Sequence, residues 1–261
     1  RLPDVTPNSE VGRLVSTLNT MLGKIEESFA ARLASENKLR RFVADASHEL
    51  RTPITAIRGF AELHRQGAVI GEEKTKELVG RIESESKRMG SLVEDLLLLA
   101  RLDQAREMKS LPVNLTKVVA EVVASAQAVG PNHILYFDQP REDFYALGDL
   151  DRIHQVVANL LANARTHTPV GTSIDVSLSQ SEDGVRIRIA DHGPGLCESD
   201  QGRIFERFYR ADTSRVRNDG EGTGLGLSIV DAVMRAHGGN VSVESVLGEG
   251  SIFTLFFPVN A

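Results

Sequence analysis

The pair His48 and Glu49 places an imidazole beside a carboxylate, two residue types that together can carry out nucleophilic chemistry. A neutral imidazole is a good nucleophile near pH 7, because its reference pKa is about 6.5. A hydrogen bond between Glu49 and one ring nitrogen would leave the lone pair on the other nitrogen. An isolated histidine on a helix is more often plain surface, so the rest of the sequence has to decide between these two interpretations.

Apolar residues around His48 predict a long helix with one buried stripe. They recur in steps of four and three, the seam of a coiled coil, at Leu39, Val43, Ala46, Leu50, Pro53, Ile57 and Phe60. This register puts His48 at the f position, farthest from the seam, so its ring is expected to face water. Pro53 removes one interior helix hydrogen bond, and we expect a kink there that could act as a hinge.

A helical hairpin is predicted from the periodicity on both sides of residues 66–71. The first helix is expected from about Glu10 to His64, with an interruption before residue 36 as one option, and the second from Glu72 to Leu102. The stripe of the second helix consists of Leu78, Ile82, Met89, Leu92, Leu96 and Leu99. Such a hairpin leaves too much apolar surface exposed for a monomer, so two copies are expected to form a dimeric four-helix bundle.

Beyond a polar linker at residues 105–113, the periodicity changes from helical to mixed. Helices are predicted at residues 115–129, 150–166 and 225–237. Strands are predicted at residues 134–137, 144–147, 174–178, 185–189, 241–246 and 252–257. Helices that cover one face of a mixed sheet give a two-layer α/β sandwich.

Two clusters in this second region carry polar side chains at the ends of predicted elements. Asn159 and Asn163 are four residues apart, so both amides lie on one helix face, and an amide oxygen is a possible Mg²⁺ ligand. Asp191 closes a strand and is followed by Gly193 and Gly195, which permit close approach of the backbone. Either pattern alone is a weak signal, since polar helix faces and strand-ending turns are common.

A third cluster, residues 220–228, is rich in glycine and directly precedes a helix. Its candidate phosphate-binding residues are Gly222, Thr223, Gly224, Leu225 and Gly226. Flexible glycines let backbone N–H groups wrap around phosphates, and the N-terminus of a helix adds a favourable dipole for anions. The cluster lacks the lysine of a P-loop, and no strand precedes it as in a Rossmann unit.

These motifs together resemble those of one family. The string His-Glu-Leu-Arg-Thr-Pro, residues 48–53, resembles the phosphoacceptor motif of the sensor histidine kinases of two-component systems. The three clusters resemble the ATP-binding boxes of the superfamily that joins histidine kinases, Hsp90, DNA gyrase and the MutL repair proteins. Residues 205–210 resemble the F box, followed by a polar ATP lid at residues 211–219. The resemblance spans essentially the whole chain and implies an ATP-binding domain of the Bergerat (GHKL) type.

The resemblance implies roles for particular residues. Mg²⁺ and ATP would bind to the α/β domain, with Asn163 as the metal ligand and Asp191 accepting a hydrogen bond from the adenine amino group. The γ-phosphoryl group would be transferred to His48, and an aspartate of a response regulator would then receive it. Arg207 or Arg210 could pair with phosphate or with the dimerisation domain.

Other positions extend or break the family pattern. Thr52, four residues past His48, matches the position that orients water when the regulator is dephosphorylated. After the second asparagine, the family usually shows a basic residue and then tyrosine, whereas this chain has Thr166 and His167. Thr166 lacks the charge that would contact a phosphate, while His167 can still stack or hydrogen-bond near the nucleotide.

The domain division that follows is residues 1–35, 36–104, 105–113 and 114–261: a partial HAMP module with a connecting helix, the dimerisation and phosphotransfer domain, the linker and the ATP-binding domain. Residues 8–14, with Leu18, Leu22 and Ile25, resemble the second half of a HAMP module, and an ordinary helix start is the alternative. A HAMP module follows a transmembrane helix in this family, so the resemblance implies the cytoplasmic part of a membrane receptor. No apolar run approaches the ~20 residues of a membrane helix.

Composition excludes some other classes of function. A net charge of −6 and a pI near 5.7 argue against a nucleic-acid surface, which is normally basic. The single cysteine, Cys197, has no partner for an intramolecular disulfide, which fits a reducing cytosol. The length and the 41% hydrophobic content suit a globular protein of two or three units.

Two alternatives belong to other classes. One is an ATP-hydrolysing clamp, for which the superfamily places a glutamate base four residues before the metal asparagine. Here that position is Asn159, whose amide does not take up a proton at pH 7. The other is a dimeric scaffold that binds nucleotide without phosphoryl transfer, which the pair His48 and Glu49 disfavours.

Overall fold

The computed structural model describes residues 10–103, 110–129, 132–210 and 223–259. The predicted lid at residues 211–219, Gly222, residues 105–109 of the linker and the start of the HAMP-like segment lie outside the described residues. The chain divides into two compact units, one ending at Gly59 and the other beginning at Phe60. None of the helices in the described ranges has both the length and the apolar character needed to cross a lipid bilayer.

All described residues of the first unit belong to helix α1 (Glu10–Arg65), which confirms the predicted first helix. The helix is continuous, and Pro53 lies inside it with its side chain buried. A series of large apolar side chains along α1 is at least 41% exposed: Leu14, Leu18, Met21, Ile25, Phe29, Leu33, Leu39 and Val43. A single chain therefore leaves most of this surface uncovered.

Helix α2 (Glu72–Asp103) follows the predicted turn at residues 66–71. Gly67 in this turn has a φ of +74°, a left-handed conformation that glycine adopts without a steric penalty. The buried side chains of α2 include Leu78, Leu92 and Leu99, three members of the predicted stripe.

The remaining elements of the second unit form an α/β domain. In chain order they are β1 (Leu111–Asn114), α3 (Leu115–Val129), β2 (Ile134–Asp138), β3 (Tyr145–Gly148), α4 (Leu150–His167), β4 (Ser173–Ser181), β5 (Gly184–Asp191), α5 (Glu198–Gln201), α6 (Gly226–Ala236), β6 (Asn240–Val246) and β7 (Gly250–Pro258). Five strands form one sheet in the order β2-β4-β5-β7-β6, in which β2 and β4 are parallel and the other neighbours are antiparallel. Strands β1 and β3 form a separate antiparallel pair.

The core lies between this sheet and the helices α3, α4 and α6. Alternate side chains of the central strands, such as Ile174, Ile187 and Leu255, are fully buried, as strand periodicity requires. Each contributes about 1.5–3 kcal/mol through burial. Helices α4 and α6 pack against each other, and α2 packs on α6. The predicted two-layer α/β sandwich is confirmed, and the element ends differ from prediction by a few residues.

The predicted linker differs most from the structure. Residues 111–113, assigned to the linker from their polar surroundings and Pro112, belong to strand β1. Val113 is buried and pairs with Ala146 of β3. A four-residue strand with a single fully buried side chain carries no alternating signal, which explains why the sequence pattern missed it.

A buried histidine joins the two helices that carry the candidate site. Asp149 caps α4, accepting hydrogen bonds from the amides of Asp151 and Arg152. Its own amide donates to Nε2 of His237 over 3.0 Å, and Nδ1 of His237 donates to the carbonyl of Val233 over 2.7 Å. The end of α6 is thereby tied to the start of α4.

Candidate functional site

One face of α4 carries the first group of candidate residues. Asn159, Asn163 and His167 follow one another at intervals of four, so their side chains lie along the same side of the helix. The opposite side is apolar and packs into the core, which fixes the orientation of this polar face. Asn159 Nδ2 donates a long hydrogen bond of 3.4 Å to the carbonyl of Gly226, linking α4 to the first turn of α6.

Asp191 ends β5, as predicted, and its side chain is buried, with 8% exposure. Its Oδ1 accepts a hydrogen bond from the amide of Gly193 over 3.0 Å, and a backbone hydrogen bond from Ser251 also reaches the carboxylate. Burial raises the pKa of the Asp191 carboxyl, while these two hydrogen bonds and nearby His192 oppose that shift. A buried carboxylate that keeps unused lone pairs is suited to accept from a ligand N–H group.

Gly193 and Gly195 have no room for a side chain. A Cβ at Gly193 would lie 2.5 Å from Cγ2 of Thr168, and one at Gly195, where φ is +67°, would lie 2.0 Å from the carbonyl oxygen of Val246. The sequence pattern predicted glycines that allow close backbone approach. The structure shows that the groups approaching these glycines include the protein itself, from Thr168 just after α4 and from Val246 at the end of β6.

The glycine-rich segment leads into α6 through Thr223, Gly224 and Leu225. Gly224 has a φ of +69°, and the hydroxyl of Thr223 accepts a hydrogen bond from the amide of Leu225. Leu225 is fully buried, so its side chain anchors the start of the helix in the core. Helix α6 begins at Gly226, which leaves the first amides of an 11-residue helix without helical partners. These amides and the helix dipole favour an anion at this end.

The F-box segment is held by interactions within the second unit. The hydroxyl of Tyr209 donates to Oδ1 of Asp200 over 2.7 Å, and the Arg203 guanidinium lies 4.5 Å from the centre of the Tyr209 ring. This hydrogen bond raises the pKa of Tyr209 and lowers that of Asp200. Phe208 has a φ of +61°, and Arg207 is partly buried.

Arg210 and His167 are close enough to interact electrostatically. The pKa of His167 lies below its usual value because the protein partly desolvates the ring and because the positive charge of Arg210 disfavours a second cation. Although desolvated on one side, the His167 residue remains exposed overall. Thr166 is partly buried beside it. The structure therefore places the His167 imidazole, with its lowered pKa, near the Arg210 guanidinium, at the end of the α4 face that carries Asn159.

The candidate phosphoacceptor residues lie on α1 in the first unit. His48 and Thr52 are exposed and Glu49 is half-buried. His48 and Glu49 both lie in the described part of α1, and their side chains form no hydrogen bond with each other. The reason is that side chains of consecutive helical residues point about 100° apart. The Thr52 hydroxyl donates to the carbonyl of His48 over 3.3 Å, one helical turn back.

Several residues that support the site were missed by sequence reasoning. Ser245 and Gln201 hold the turn after Asp191, and Thr168 accepts a hydrogen bond from Nε2 of His133 while donating to the carbonyl of Ala164. The turn of β6 and β7 contains two glycines two residues apart at positions 248 and 250. That spacing was the one available signal that this hairpin is constrained.

The arrangement fits an adenine nucleotide. Asp191 is a buried acceptor for an amino group, and the first amides of α6 can receive phosphate oxygens. Asn163 presents an amide oxygen or nitrogen from the same α4 face as Asn159.

Two families match the sequence. Residues 148–261 match HATPase_c, described as histidine kinase-, DNA gyrase B- and HSP90-like ATPase. Residues 38–105 match HisKA, the His Kinase A phosphoacceptor domain. The first range contains Asn163 and Asp191, and the second contains His48.

Similar proteins are sensor kinases. The probable sensor histidine kinase TcrY of Mycobacterium tuberculosis is 48% identical over 94% of this chain and 51% of its own length. The sensor histidine kinase TrcS of the same organism is 38% identical over 98% of this chain and 51% of its own length. The chain thus spans about half the length of these relatives. Among solved structures, the histidine kinase AdeS of Acinetobacter baumannii matches with a TM-score of 0.65 and 27% identity, covering 82% of this chain and 98% of that one.

Proposed function

Because this chain belongs to the sensor histidine kinases, with a HisKA phosphoacceptor domain followed by a HATPase_c domain, we propose that it is an ATP-dependent kinase that phosphorylates its own His48. The observation that carries the proposal is the combination of an exposed imidazole at His48 with a site built around buried Asp191. In the next step of the proposal, His48 passes the phosphoryl group to an aspartate of a response regulator.

The proposal gives each part of the site a task. Asp191 accepts from the adenine amino group, and the backbone amides at the start of α6 hold the phosphates. Asn163 supplies an oxygen ligand to Mg²⁺. Mg²⁺ and ATP together supply a γ-phosphoryl group whose negative charge is partly neutralised. Arg207 or Arg210 pairs with phosphate or with the phosphotransfer domain, and His167 lies beside Arg210.

At the acceptor, His48 attacks phosphorus with the lone pair of one ring nitrogen. An N–P bond forms, the bond from the γ-phosphorus to the bridging oxygen breaks, and ADP leaves with that electron pair. The His48 side chain faces solvent, so a second protein surface can approach it. Glu49 would stabilise the ring through its other nitrogen after a rotation of the carboxylate, since the two side chains are not hydrogen-bonded here.

We also propose that Thr52 orients water when the response regulator is dephosphorylated. Its hydroxyl lies one helical turn from His48, on nearly the same face of α1. The bond to the His48 carbonyl is long, at 3.3 Å, so the hydroxyl can exchange it for a water molecule at little cost.

The proposal includes a homodimer and a membrane location for the full-length protein, with this chain on the cytoplasmic side. The exposed stripe along α1 supports pairing of helices between two copies. Leu14, Leu18 and Ile25 continue this stripe through the segment that resembles a HAMP module. The location rests on the family resemblance and on relatives about twice as long as this chain.

An ATP-hydrolysing clamp is disfavoured by Asn159. The amide of Asn159 donates to the Gly226 carbonyl and cannot act as the general base that activates water. A nucleotide-binding scaffold without phosphoryl transfer remains the alternative outcome of the experiment below.

The test is incubation of the chain and a His48→Gln variant with Mg²⁺ and γ-labelled ATP. We expect acid-labile, alkali-stable label on the wild type alone, because phosphohistidine has that chemistry. Calorimetry measures the ADP affinity of both proteins. Equal affinities mean that a difference in label does not come from a difference in nucleotide binding. ADP binding without label on the wild type would favour the scaffold, and equal label on both proteins would remove His48 from the mechanism.

A further inference from the structure

The β6–β7 hairpin holds the turn that follows Asp191, here called the Asp191 turn (residues 191–196). The amide of Leu196 donates to Oγ of Ser245 over 2.8 Å, and the amide of Gly248 donates to the carbonyl of Pro194 over 2.8 Å. Gln201, in α5, donates from Nε2 to the backbone carbonyl of Ser245 over 2.8 Å. Three hydrogen bonds thus converge on one end of this hairpin.

Ser245 takes part in two of these three hydrogen bonds. Its hydroxyl accepts from Leu196 and donates to the carbonyl of Gly250 over 2.8 Å, with Ser251 Oγ also within 3.0 Å. The side chain is half-buried. A hydroxyl that both donates and accepts in fixed directions cannot be replaced by an apolar group without leaving a backbone N–H and a carbonyl unpaired.

The backbone of the Asp191 turn is also in direct contact with this hairpin. A Cβ at Gly195 would lie 2.0 Å from the Val246 carbonyl oxygen, and one at Gly250 would lie 1.9 Å from the Asp191 carbonyl oxygen. Asp191 pairs with Ser251 across β5 and β7. The path of the turn is therefore set by the hairpin on one side, while Thr168 limits it on the other, at Gly193.

We propose that Ser245 is a positioning residue for base recognition: its hydroxyl fixes Leu196 and thereby the path of the Asp191 turn. That path keeps the Gly193 amide on Oδ1 of Asp191, so the carboxylate presents a defined set of lone pairs to the adenine amino group. The inference rests on the proposed nucleotide function. Ser245 itself does not contact the base.

The test compares Ser245→Ala with the wild-type full chain in Mg²⁺. Calorimetry measures the Kd for ADP and for GDP, and thermal melting without nucleotide measures stability. We expect the Kd for ADP to rise roughly threefold to tenfold, as for the loss of one positioning hydrogen bond. The preference for ADP over GDP is expected to shrink by a similar factor, because the acceptor geometry is what selects the base.

Matched variants separate positioning from a general loss of stability. Ser242→Ala makes the same change on the same strand at an exposed side chain, and it is expected to leave both Kd values unchanged. Ser245→Thr keeps the hydroxyl and is expected to restore the ADP preference. Gln201→Ala weakens the same junction from α5 and provides a second test if Ser245→Ala does not fold.

Two results distinguish failure of this inference from failure of the proposed function. If the wild type does not bind ADP, the nucleotide function itself is wrong. If the wild type binds ADP and Ser245→Ala lowers the melting temperature without changing the ratio of the two Kd values, Ser245 only stabilises the hairpin. If Ser245→Ala does not fold, Gln201→Ala is tested in its place. An unchanged ratio of the Kd values for ADP and GDP in Gln201→Ala then overturns the inference in the same way.

Discussion

The amide of Phe208 donates to the carbonyl of Gly224 over 2.9 Å, joining the segment that resembles an F box to the candidate phosphate-binding segment. Both residues have positive φ angles, +61° for Phe208 and +69° for Gly224. They lie on either side of residues 211–222 in the sequence. This backbone hydrogen bond links the two candidate nucleotide-binding segments.

Gly224→Ala is expected to weaken this junction. The φ of +69° strains any residue with a side chain, and the new Cβ would lie 2.9 Å from the backbone of Phe208. We expect a loss of unfolding free energy of about 1–3 kcal/mol and a weaker ADP affinity, measured by urea denaturation and calorimetry. Gly202→Ala is the control, because its Cβ would meet nothing within 4 Å and its φ is −73°. Equal effects of the two variants would contradict the role of the Phe208–Gly224 contact.

Asp95 is expected to make stability depend on pH. Burial on α2, with a smaller contribution from Glu94, raises the pKa of Asp95 from 3.8 to about 6. The folded chain therefore binds the proton of the Asp95 carboxyl more tightly than the unfolded chain does. The stabilisation that this bound proton provides is lost as pH rises from about 4 to about 6. Asp95→Asn should gain stability over the wild type across that window and keep the gain at pH 7.

The measurement for Asp95 is urea denaturation at pH 4.5 and pH 7 for the wild type, Asp95→Asn and the exposed neighbour Glu94→Gln. Glu94→Gln should show a smaller gain, because it removes only a charge near Asp95. A difference between wild type and Asp95→Asn that is the same at both pH values would show that Asp95 does not titrate in this range.

His237→Ala is expected to destabilise the α/β domain. It leaves the amide of Asp149 without its acceptor in a buried environment, which costs about 1–3 kcal/mol. His237→Gln offers a side-chain oxygen to the same amide and should recover part of the loss. His154→Ala, at an exposed position of α4, is the control. Chemical denaturation measures the free energy of unfolding of the three variants. A loss in His154→Ala as large as that in His237→Ala would argue against a specific role of the Asp149–His237 hydrogen bond.

Thr52→Ala is expected to spare autophosphorylation and to lower the rate at which the phosphorylated regulator is dephosphorylated by roughly tenfold. The reason is the loss of a hydroxyl one turn from His48. Thr55→Ala is a close match, since Thr55 is also exposed and its hydroxyl donates to a carbonyl one turn back, that of Arg51. Autophosphorylation is followed with γ-labelled ATP, and dephosphorylation is followed with labelled phosphorylated regulator. An equal loss of kinase and phosphatase rates in Thr52→Ala would remove the proposed role.

The sequence by itself determined the elements and most of the candidate site residues. Helices α1 and α2 and the alternation of β4 and β5 were predictable because apolar residues recur there with the periods of a helix and a strand, 3.6 and 2 residues. These periods can be detected from residues that are close together in the sequence. The positions of Asn159, Asn163 and Asp191 followed for the same reason, since each lies at a defined place on such an element. The strand β1 was missed because its pattern is too short to carry a period.

Only the tertiary structure decided how these elements are joined. The bond from Leu196 to Ser245 connects residues 49 apart in the sequence, and that from Asp149 to His237 connects residues 88 apart. Neither pair lies on one helix face or at adjacent strand positions, so no local period links them. Close approaches at Gly193 and Gly195 likewise depend on Thr168 and Val246, which reach the Asp191 turn only after the sheet and helices have packed.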